Sequence, residues 1–288
     1  MDRNRNQEYP LRQMQKDDLP KCQDLKAQTG WNQLLADWQR FWNLNPIGCF
    51  VVTDTDRIIG TVCTVAYENF GWVAMVIVDN EYRRQGIGTQ LLMAGIEHLE
   101  NRGLCVKLDA TPEGKMLYDT LGFVDEYKAA RYEWEGTLPQ FPHPTICEPL
   151  NTASLGELND FDQSIFGNSR QDVLKSYLDR YPKSSFCLRD ETGLCGYIMA
   201  REGYKAFHIG PWVATSPTAA LNLLQTCMLE RQPERIFIDI IEPNPHALNM
   251  LSNLGFTLQR PFIRMFRGQN ADPGKPELVY SMSGPELG

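Results

Sequence analysis

The first half of the chain alternates apolar strands and amphipathic segments in a way that predicts a sheet covered by helices. Residues 72–78 are almost entirely apolar, which is typical of a strand buried on both faces. After a short glycine-containing segment, apolar residues recur three or four positions apart, as in a helix: Ile87, Leu91, Leu92, Ile96 and Leu99. Gly103 ends this helix, and residues 104–110 alternate as a further strand. This order indicates an α/β fold with a mixed sheet.

The remaining elements of the first half follow from the same periodicities. Residues 9–14 predict a strand, and Asp17 or Asp18 could cap a helix that reaches about residue 28. A second helix carries the apolar stripe Leu34, Leu35, Trp38, Phe41 and Trp42, and residues 49–52 and 58–66 predict a hairpin. Pro112 and Gly122 suit the two ends of another helix. Residues 123–134 are expected to form two closing strands.

A proline-dense segment, residues 137–149, predicts a stiff linker between two domains. Its prolines are Pro139, Pro142, Pro144 and Pro149. Beyond it the pattern restarts with two helices, a hairpin, and a strand, helix, strand, helix, strand series that ends near residue 266. We therefore expect domains at residues 1–136 and 150–270. Residues 271–288 are rich in proline and glycine and are expected to be loosely held.

The turn between the apolar strand and the long helix has the sequence Arg83-Arg84-Gln85-Gly86-Ile87-Gly88. Glycine lets a ligand approach the backbone, and the first N–H groups of a helix attract anions. The two arginines would oppose the helix dipole unless an anion such as pyrophosphate offset them. The alternative is a glycine turn with two solvated arginines. The chain lacks the spacing of a P-loop or of a dinucleotide fingerprint.

Two motifs together resemble those of the GCN5-related N-acetyltransferase (GNAT) superfamily. They are Arg83-x-x-Gly86-x-Gly88 and Tyr118-x-x-x-Gly122-Phe123, and the resemblance covers about residues 8–135. It implies acetyl-CoA as the acetyl donor, with its pyrophosphate held by Arg83, Arg84, Gln85, Gly86, Ile87, Gly88 and Thr89. It also implies that a backbone amide of the central strand, at Ile77 or Val78, polarises the thioester carbonyl. Tyr118 takes the position of the proton donor to the leaving thiolate; its alternative role is packing.

The second half resembles an edited copy of the first, as in a tandem GNAT with a degenerate C-terminal domain. Leu121-Gly122-Phe123 matches Leu254-Gly255-Phe256, which places Leu251 where Tyr118 stands. Residues 215–218, Thr-Ser-Pro-Thr, replace the glycine loop. We therefore expect two tandem GNAT-like domains and one cofactor site.

The residues that would deprotonate and bind the acceptor are less well marked. Glu68 is the first candidate for the general base and Asp109 the second, although each could be an ordinary carboxylate. Trp31 and Asn32 lie where this superfamily builds an acceptor wall; a helix cap beside a core tryptophan is the alternative. Asp239 and Glu242 could bind an ammonium, or could be surface charge beside the helix cap Asn244.

Composition limits the remaining classes of function. The chain has 288 residues and a formal net charge of −8, which argues against a nucleic-acid partner. The eight cysteines include no C-x-x-C pair and the histidines share no ligand spacing, so we expect buried thiols and no metal. The N-terminal residues show no signal peptide and no apolar run suits a membrane, so a cytoplasmic protein is expected.

These features predict an acetyl-CoA-dependent N-acetyltransferase in which a primary amine attacks the thioester directly. The acceptor is expected to be a small molecule bound between the two halves. A protein N-acetyltransferase and a non-catalytic acyl-CoA sensor are the alternatives, and the second half could instead be a structural or dimerisation partner. A homodimer is compatible with the sequence.

Overall fold

The computed structural model describes residues 8–138, 141, 147–271 and 273–288. It contains two compact units, Met1–Leu108 and Asp109–Gly288. The division falls inside a strand, Cys105–Ala110. It does not follow the two repeats of the sequence, whose boundaries at residues 136, 149 and 270 stay a prediction.

The first unit is a mixed sheet covered by helices, as predicted. Its strands are β1 (Leu11–Gln13), β2 (Phe50–Asp54), β3 (Arg57–Ala66), β4 (Phe70–Val78) and the start of β5 (Cys105–Ala110). Its helices are α1 (Leu19–Ala27), α2 (Leu35–Leu44) and α3 (Ile87–Glu100). The strands follow in the order β1-β2-β3-β4-β5, antiparallel up to β4 and parallel between β4 and β5.

Two glycines of the sheet let α3 lie close to β3 and β4. A Cβ at Gly60 would be 2.6 Å from Leu91 Cδ1, and one at Gly71 would be 2.4 Å from Leu99 Cδ2. The predicted apolar stripe of α3 is buried against these strands, including Ile87 and Ile96. This packing places the N-terminus of α3 shortly after the carboxyl end of β4.

The N-cap of α1 is one of the two predicted residues, although its side chain does not cap the helix, and the N-cap of α2 differs from the residue considered in the sequence analysis. Asp18 stands at the N-cap of α1, but its carboxylate accepts from Gln15 N at 2.7 Å and from Arg12 at 2.6 and 2.9 Å. Leu34 is the N-cap of α2, and its N–H is bound by Asp37 Oδ2 at 2.7 Å. Asn32 is buried and is not the cap. In α1 the cation Arg12 binds the carboxylate of the N-cap residue. In α2 the N–H of the N-cap residue is bound by Asp37, which lies in the first turn of the helix.

The second unit contains five helices and eight further strands among its described residues. The helices are α4 (Pro112–Thr120), α5 (Leu155–Phe166), α6 (Gln171–Arg180), α7 (Pro217–Arg231) and α8 (Pro245–Asn253). The strands are β6 (Val124–Glu135), β7 (Glu148–Pro149), β8 (Ser185–Asp190), β9 (Gly193–Arg201), β10 (Phe207–Ala214), β11 (Arg235–Ile241), β12 (Thr257–Arg267) and β13 (Val279–Ser281). Their order is β12-β6-β11-β10-β9-β8-β7, with β13 on β10.

Strand β6 corrects the expectation of two closing strands after Phe123. It is one strand of 12 residues. The segment contains no glycine, proline or asparagine at which a hairpin could turn. Its antiparallel neighbours are instead β11 and β12, which come from the second repeat of the sequence. The sheet of the second unit is therefore built from strands of both repeats.

The expectation that residues 271–288 are loosely held is wrong. Strand β13 pairs with β10, and Tyr280, Met282 and Leu287 are each at most 2% exposed. Apolar side chains at these three positions supply the reason, which the surrounding prolines and glycines concealed. Of the predicted linker, residues 148–149 form the edge strand β7. The linker prolines Pro139, Pro142 and Pro144 lie outside the described residues.

Candidate active site

The loop between β4 and α3 presents uncapped backbone N–H groups. Gly86 is the N-cap of α3 with φ +83°, and no described side chain caps the helix. The first helical hydrogen bond runs from Gln90 N to Gly86 O at 3.0 Å. The N–H groups of Ile87, Gly88 and Thr89 therefore have no partner within the helix. Such a helix N-terminus favours an anion.

The space around this N-terminus suits a phosphate group. A Cβ at Gly86 would meet no atom within 4 Å, and one at Gly88 would come no closer than 3.6 Å to Val78 Cγ2. Arg83 and Arg84 are exposed, and Arg83 Nε donates to Val78 O at 3.3 Å. The predicted loop residues thus combine open backbone donors with two cations. This donor set fits the pyrophosphate of a coenzyme A thioester.

Strand β4 has an irregular register near its carboxyl end, which precedes the proposed cofactor loop. The register between β3 and β4 moves from Thr61↔Ile77 to Cys63↔Ala74, so Met75 and Val76 together oppose one residue. This β-bulge places Met75 at φ +55°. Beyond residue 72, no described pairing joins β4 to β5 within the first unit. One edge of β4 is therefore left open beside the bulge.

The direction of the backbone N–H groups of β4 distinguishes the two residues, Ile77 and Val78, whose amides were predicted to polarise the thioester carbonyl. Asp79 N donates to Ile59 O at 2.9 Å, so the N–H of Asp79 faces β3. Because N–H groups alternate along a strand, that of Ile77 also faces β3, whereas those of Val76 and Val78 face the open edge. The geometry favours Val78 over Ile77 and adds Val76. The sequence carried no signal for Val76, because neither Met75 nor Val76 marks a bulge by its residue type.

The first unit also contains the predicted general base Glu68 and the predicted acceptor-binding residues Trp31 and Asn32. Glu68 is exposed in the turn between β3 and β4. At about 3.3 Å per residue, the ten positions from Glu68 to Val78 span roughly 33 Å, so β4 separates Glu68 from the loop. Trp31 is half-buried and its carbonyl accepts from Lys26 Nζ at 3.2 Å, while Asn32 is 1% exposed. Their role as an acceptor wall stays a prediction.

Tyr118 lies in the second unit, in α4. Thr111 caps this helix by accepting from Gly114 N at 3.3 Å. The Tyr118 side chain is half-buried, and burial raises the pKa of its phenol above the usual value of 10.0. Gly114 leaves room for the ring, because a Cβ there would be 2.9 Å from Tyr118 Cε2. The phenol is therefore protonated at neutral pH.

The two carboxylates expected to deprotonate or bind the amine are already held by arginines. Asp109 has a fully buried side chain that accepts from Arg264 Nε and Nη2 at 3.0 Å each, and burial raises the pKa of this carboxyl. Asp239 accepts from Arg131 Nε and Nη2 at 2.7 Å each and from His208 Nε2 at 2.9 Å. Both oxygens of each carboxylate therefore accept a hydrogen bond. This geometry favours structural roles for both.

Charge and burial explain the titration behaviour around Asp239. Burial would raise the pKa of this carboxyl, but Arg131 and His208 outweigh it and hold the pKa far below 3.8. Burial lowers the pKa of His208, so His208 is neutral and donates through Nε2. Glu242 is 59% exposed and only 3.9 Å from Lys128 Nζ at its nearest oxygen. Asn244 caps α8, as the alternative interpretation of this segment predicted.

The second repeat preserves the scaffold but lacks the cofactor features. Phe123 N donates to Tyr118 O at 3.2 Å, and Phe256 N donates to Leu251 O at 3.0 Å, so the two helix ends correspond. Leu251, in place of the phenol, is fully buried in the core. Ser216 caps α7 by accepting from Ala219 N at 3.2 Å, and Pro217 has no N–H to offer. The Ser216 side chain thus binds one N–H group at the N-terminus of α7, and Pro217 removes another.

Other kinds of site find no support in the described part of the chain. No group of three or more His, Cys, Asp and Glu residues is arranged there to hold a metal ion; His143 lies outside it. None of the described helices is long and apolar enough to cross a membrane. The eight cysteines are free, and all except Cys195 are buried, as expected from their spacing.

Comparison with known proteins identifies the family. A model described as the acetyltransferase (GNAT) family matches residues 10–123, and one described as an acetyltransferase (GNAT) domain matches residues 158–281. The chain therefore belongs to the GNAT superfamily, with two tandem GNAT domains, and is an N-acetyltransferase.

Relatives with the same extent support this assignment. Holothin acyltransferase from Pseudoalteromonas sp. (strain SANK 73390) is 24% identical over 260 residues, which cover 90% of this chain and 87% of that protein. A proposed acetyltransferase from Pyrococcus horikoshii has a similar structure, with a TM-score of 0.82 at 23% identity over 100% of both chains. A tandem GNAT protein from the clavulanic acid biosynthesis pathway gives a TM-score of 0.62 at 13% identity, over 92% of this chain and 100% of that one. The two structures support the fold.

Proposed function

We propose that this chain transfers the acetyl group of acetyl-CoA to a primary amine of a small molecule, by direct attack of the amine on the thioester. The donor binds once per chain, at the loop before α3. The acceptor is expected to be a small molecule because the relatives that cover most of the chain include an acyltransferase named for holothin.

The observation that carries the proposal is the contrast between two corresponding helix N-termini. That of α3 begins at Gly86 with free amides and two exposed arginines, whereas that of α7 is capped by Ser216 and begins with Pro217. A helix N-terminus without a cap is stabilised by an anionic ligand. The first of the two therefore offers the larger set of backbone donors to a pyrophosphate.

The protein groups would act on the donor from β4 and the loop. Acetyl-CoA supplies the acetyl group as an activated thioester. The amides before and within the first turn of α3 bind phosphate oxygens, with Thr89 adding a hydroxyl. The N–H groups of Val76 and Val78 are directed to the open edge of β4, where they can donate to a carbonyl and stabilise charge on its oxygen.

Tyr118 would supply the proton that the leaving sulfur requires. Its hydroxyl forms no hydrogen bond with any described residue. The raised pKa keeps the proton on the phenol at neutral pH. A thiol has an ordinary pKa of about 8.5, so a phenol is a proton donor of suitable strength. The amine must lose a proton before attack, and a lysine-like amine has a pKa of about 10.4. Activity should therefore rise with pH through the neutral range.

An amine screen tests the proposed function. The full chain is incubated with acetyl-CoA and a panel of primary amines, peptides with free N-termini and no acceptor, and the released thiol is measured. We expect amine-dependent release with at least one small amine, and slower release by Tyr118→Phe. Release with peptides alone would indicate a protein N-acetyltransferase. Acetyl-CoA binding without release for any acceptor would indicate a sensor.

A further inference from the structure

A buried threonine of β3 binds the backbone of the β-bulge in β4. Thr61 Oγ1 donates to Met75 O at 2.8 Å, and Thr61 is fully buried. A hydroxyl inside a largely apolar strand costs free energy unless it forms a hydrogen bond, and valine would have nearly the same shape without that cost. The Thr61 hydroxyl therefore depends on its bond to the bulge.

The backbone conformation of the bulge requires support from its surroundings. Met75 has φ +55°, a left-handed conformation that residues other than glycine rarely adopt. Such strain persists only where neighbouring groups hold the backbone in place. The register between β3 and β4 shifts between Thr61 and Cys63, so Thr61 stands at the edge of the irregularity. Its hydroxyl is placed to hold the strained residue.

The carbonyl of Met75 and the N–H of Val76 belong to one peptide group. This peptide is trans and planar, so its C=O and its N–H point in opposite directions. Because Thr61 of β3 binds the carbonyl, the Val76 N–H is directed away from β3, toward the open edge of β4. A hydrogen bond to a carbonyl also polarises the peptide and strengthens its N–H as a donor. One side chain thus both orients and strengthens this amide.

We propose that Thr61 is a positioning residue for the acetyl donor: its hydroxyl holds the Met75–Val76 peptide so that the Val76 N–H donates to the thioester carbonyl of acetyl-CoA. This inference rests on the proposed function. Negative charge develops on the carbonyl oxygen as the amine attacks, and a donor that is already oriented stabilises that charge without reorganising. Thr61 is buried and acts through the peptide, so its loss would release the donor without removing it.

Backbone NMR of the full chain tests this proposal without turnover. The amide resonances of Val76 and Val78 are compared with coenzyme A and with acetyl-CoA, which differ by the acetyl carbonyl. In the wild type, the Val76 amide proton should move downfield with acetyl-CoA relative to coenzyme A. Thr61→Val removes the hydroxyl and should lose most of this shift, whereas Thr61→Ser keeps the hydroxyl and should retain it. Thr61→Cys, with a weak donor, should be intermediate.

Thr64→Val is the matched control for the loss of a buried hydroxyl. Thr64 is fully buried on the same strand beyond the register shift, and its hydroxyl donates to Gly48 O at 2.8 Å. Thr64→Val should lower the melting temperature at least as much as Thr61→Val, because it also removes the bond from Asn45 Nδ2. It should leave the Val76 shift and the rate unchanged. If Thr61→Val does not fold, Thr61→Cys carries the same comparison.

Single-turnover kinetics with the fastest amine of the screen complete the test. Thr61→Val should slow the chemical step by about 10-fold, which is less than the loss of about 10²–10³-fold when an oxyanion donor is removed outright. Its affinity for acetyl-CoA should stay unchanged, and Thr61→Ser should restore the rate.

The outcomes separate this proposal from the proposed function. A Val76 shift that persists in Thr61→Val, or a normal rate in that variant, would overturn the role of Thr61 and leave the proposed function intact. Equal resonances with coenzyme A and acetyl-CoA in the wild type would overturn it together with the proposed role of the two amides. If no amine reacts with the wild type, the proposed function fails and the NMR comparison alone decides the role of Thr61.

Discussion

Replacing Asp239 by asparagine distinguishes a structural carboxylate from a substrate-binding one. Asp239 is fully buried and accepts three hydrogen bonds, from Arg131 at 2.7 and 2.7 Å and from His208 at 2.9 Å. Asparagine keeps one oxygen and turns an NH₂ group toward a donor. It leaves the buried Arg131 charge uncompensated, which costs about 3–5 kcal/mol. At about 2–4 °C per kcal/mol, the melting temperature should fall by roughly 6–20 °C.

The pH dependence of that loss has a definite sign. Because the pKa of Asp239 is depressed in the folded chain, its contribution is present in full above the usual carboxyl value of 3.8 and is lost as the pH falls below it. The difference between wild type and Asp239→Asn should therefore be constant from pH 5 to pH 7 and shrink in acid. Thermal unfolding followed by circular dichroism measures it. Glu242→Gln, at an exposed site, is the control and should stay within about 0.5 kcal/mol. An unchanged melting temperature with a raised KM for the amine would return Asp239 to the substrate site.

Three further substitutions test the catalytic groups, each by single-turnover kinetics with the melting temperature as a control. Tyr118→Phe should slow the chemical step by about 10²–10⁴-fold without weakening acetyl-CoA binding, and a normal rate would reduce Tyr118 to a packing role. Gly114→Ala should leave α4 as stable or more stable, by up to about 1 kcal/mol, yet slow the reaction because its Cβ displaces the Tyr118 ring; equal rates would mean that the ring adjusts freely. Glu68→Gln should keep the wild-type rate, and a large loss would contradict the separation along β4.

The parts of the fold with strong periodicity could be predicted from the sequence. The apolar run of β4 and the stripe of α3 specify a buried strand and an amphipathic helix, and their joining loop follows from Gly86 and Gly88. The internal repeat was visible in two Leu-Gly-Phe segments, because glycine at a helix end meets a backbone requirement. In the structure, Gly122 and Gly255 have φ values of +78° and +81°.

The sequence predictions that were wrong concern interactions between residues far apart in the sequence. Residues 123–134 have strand propensity, but which strands they pair with depends on β11 and β12, more than a hundred residues later. Asp239 and Asp109 resemble free carboxylates until Arg131 and Arg264 are brought to them. The bulge at Met75 is a property of the β3–β4 register and leaves no residue signature. The prediction from composition was also wrong for residues 271–288, because their few apolar side chains are buried and hold the segment against the sheet.

Calorimetric titration of the full chain with acetyl-CoA tests the central claim most directly, because it counts the sites and assigns them. The account predicts one acetyl-CoA per chain. Gly86→Val should weaken binding by a few kcal/mol, since valine at φ +83° strains the loop and blocks the open backbone. Ser216→Ala, at the corresponding cap of α7, should leave the stoichiometry and the affinity unchanged. Two molecules bound per chain, or wild-type affinity in Gly86→Val, would contradict the account.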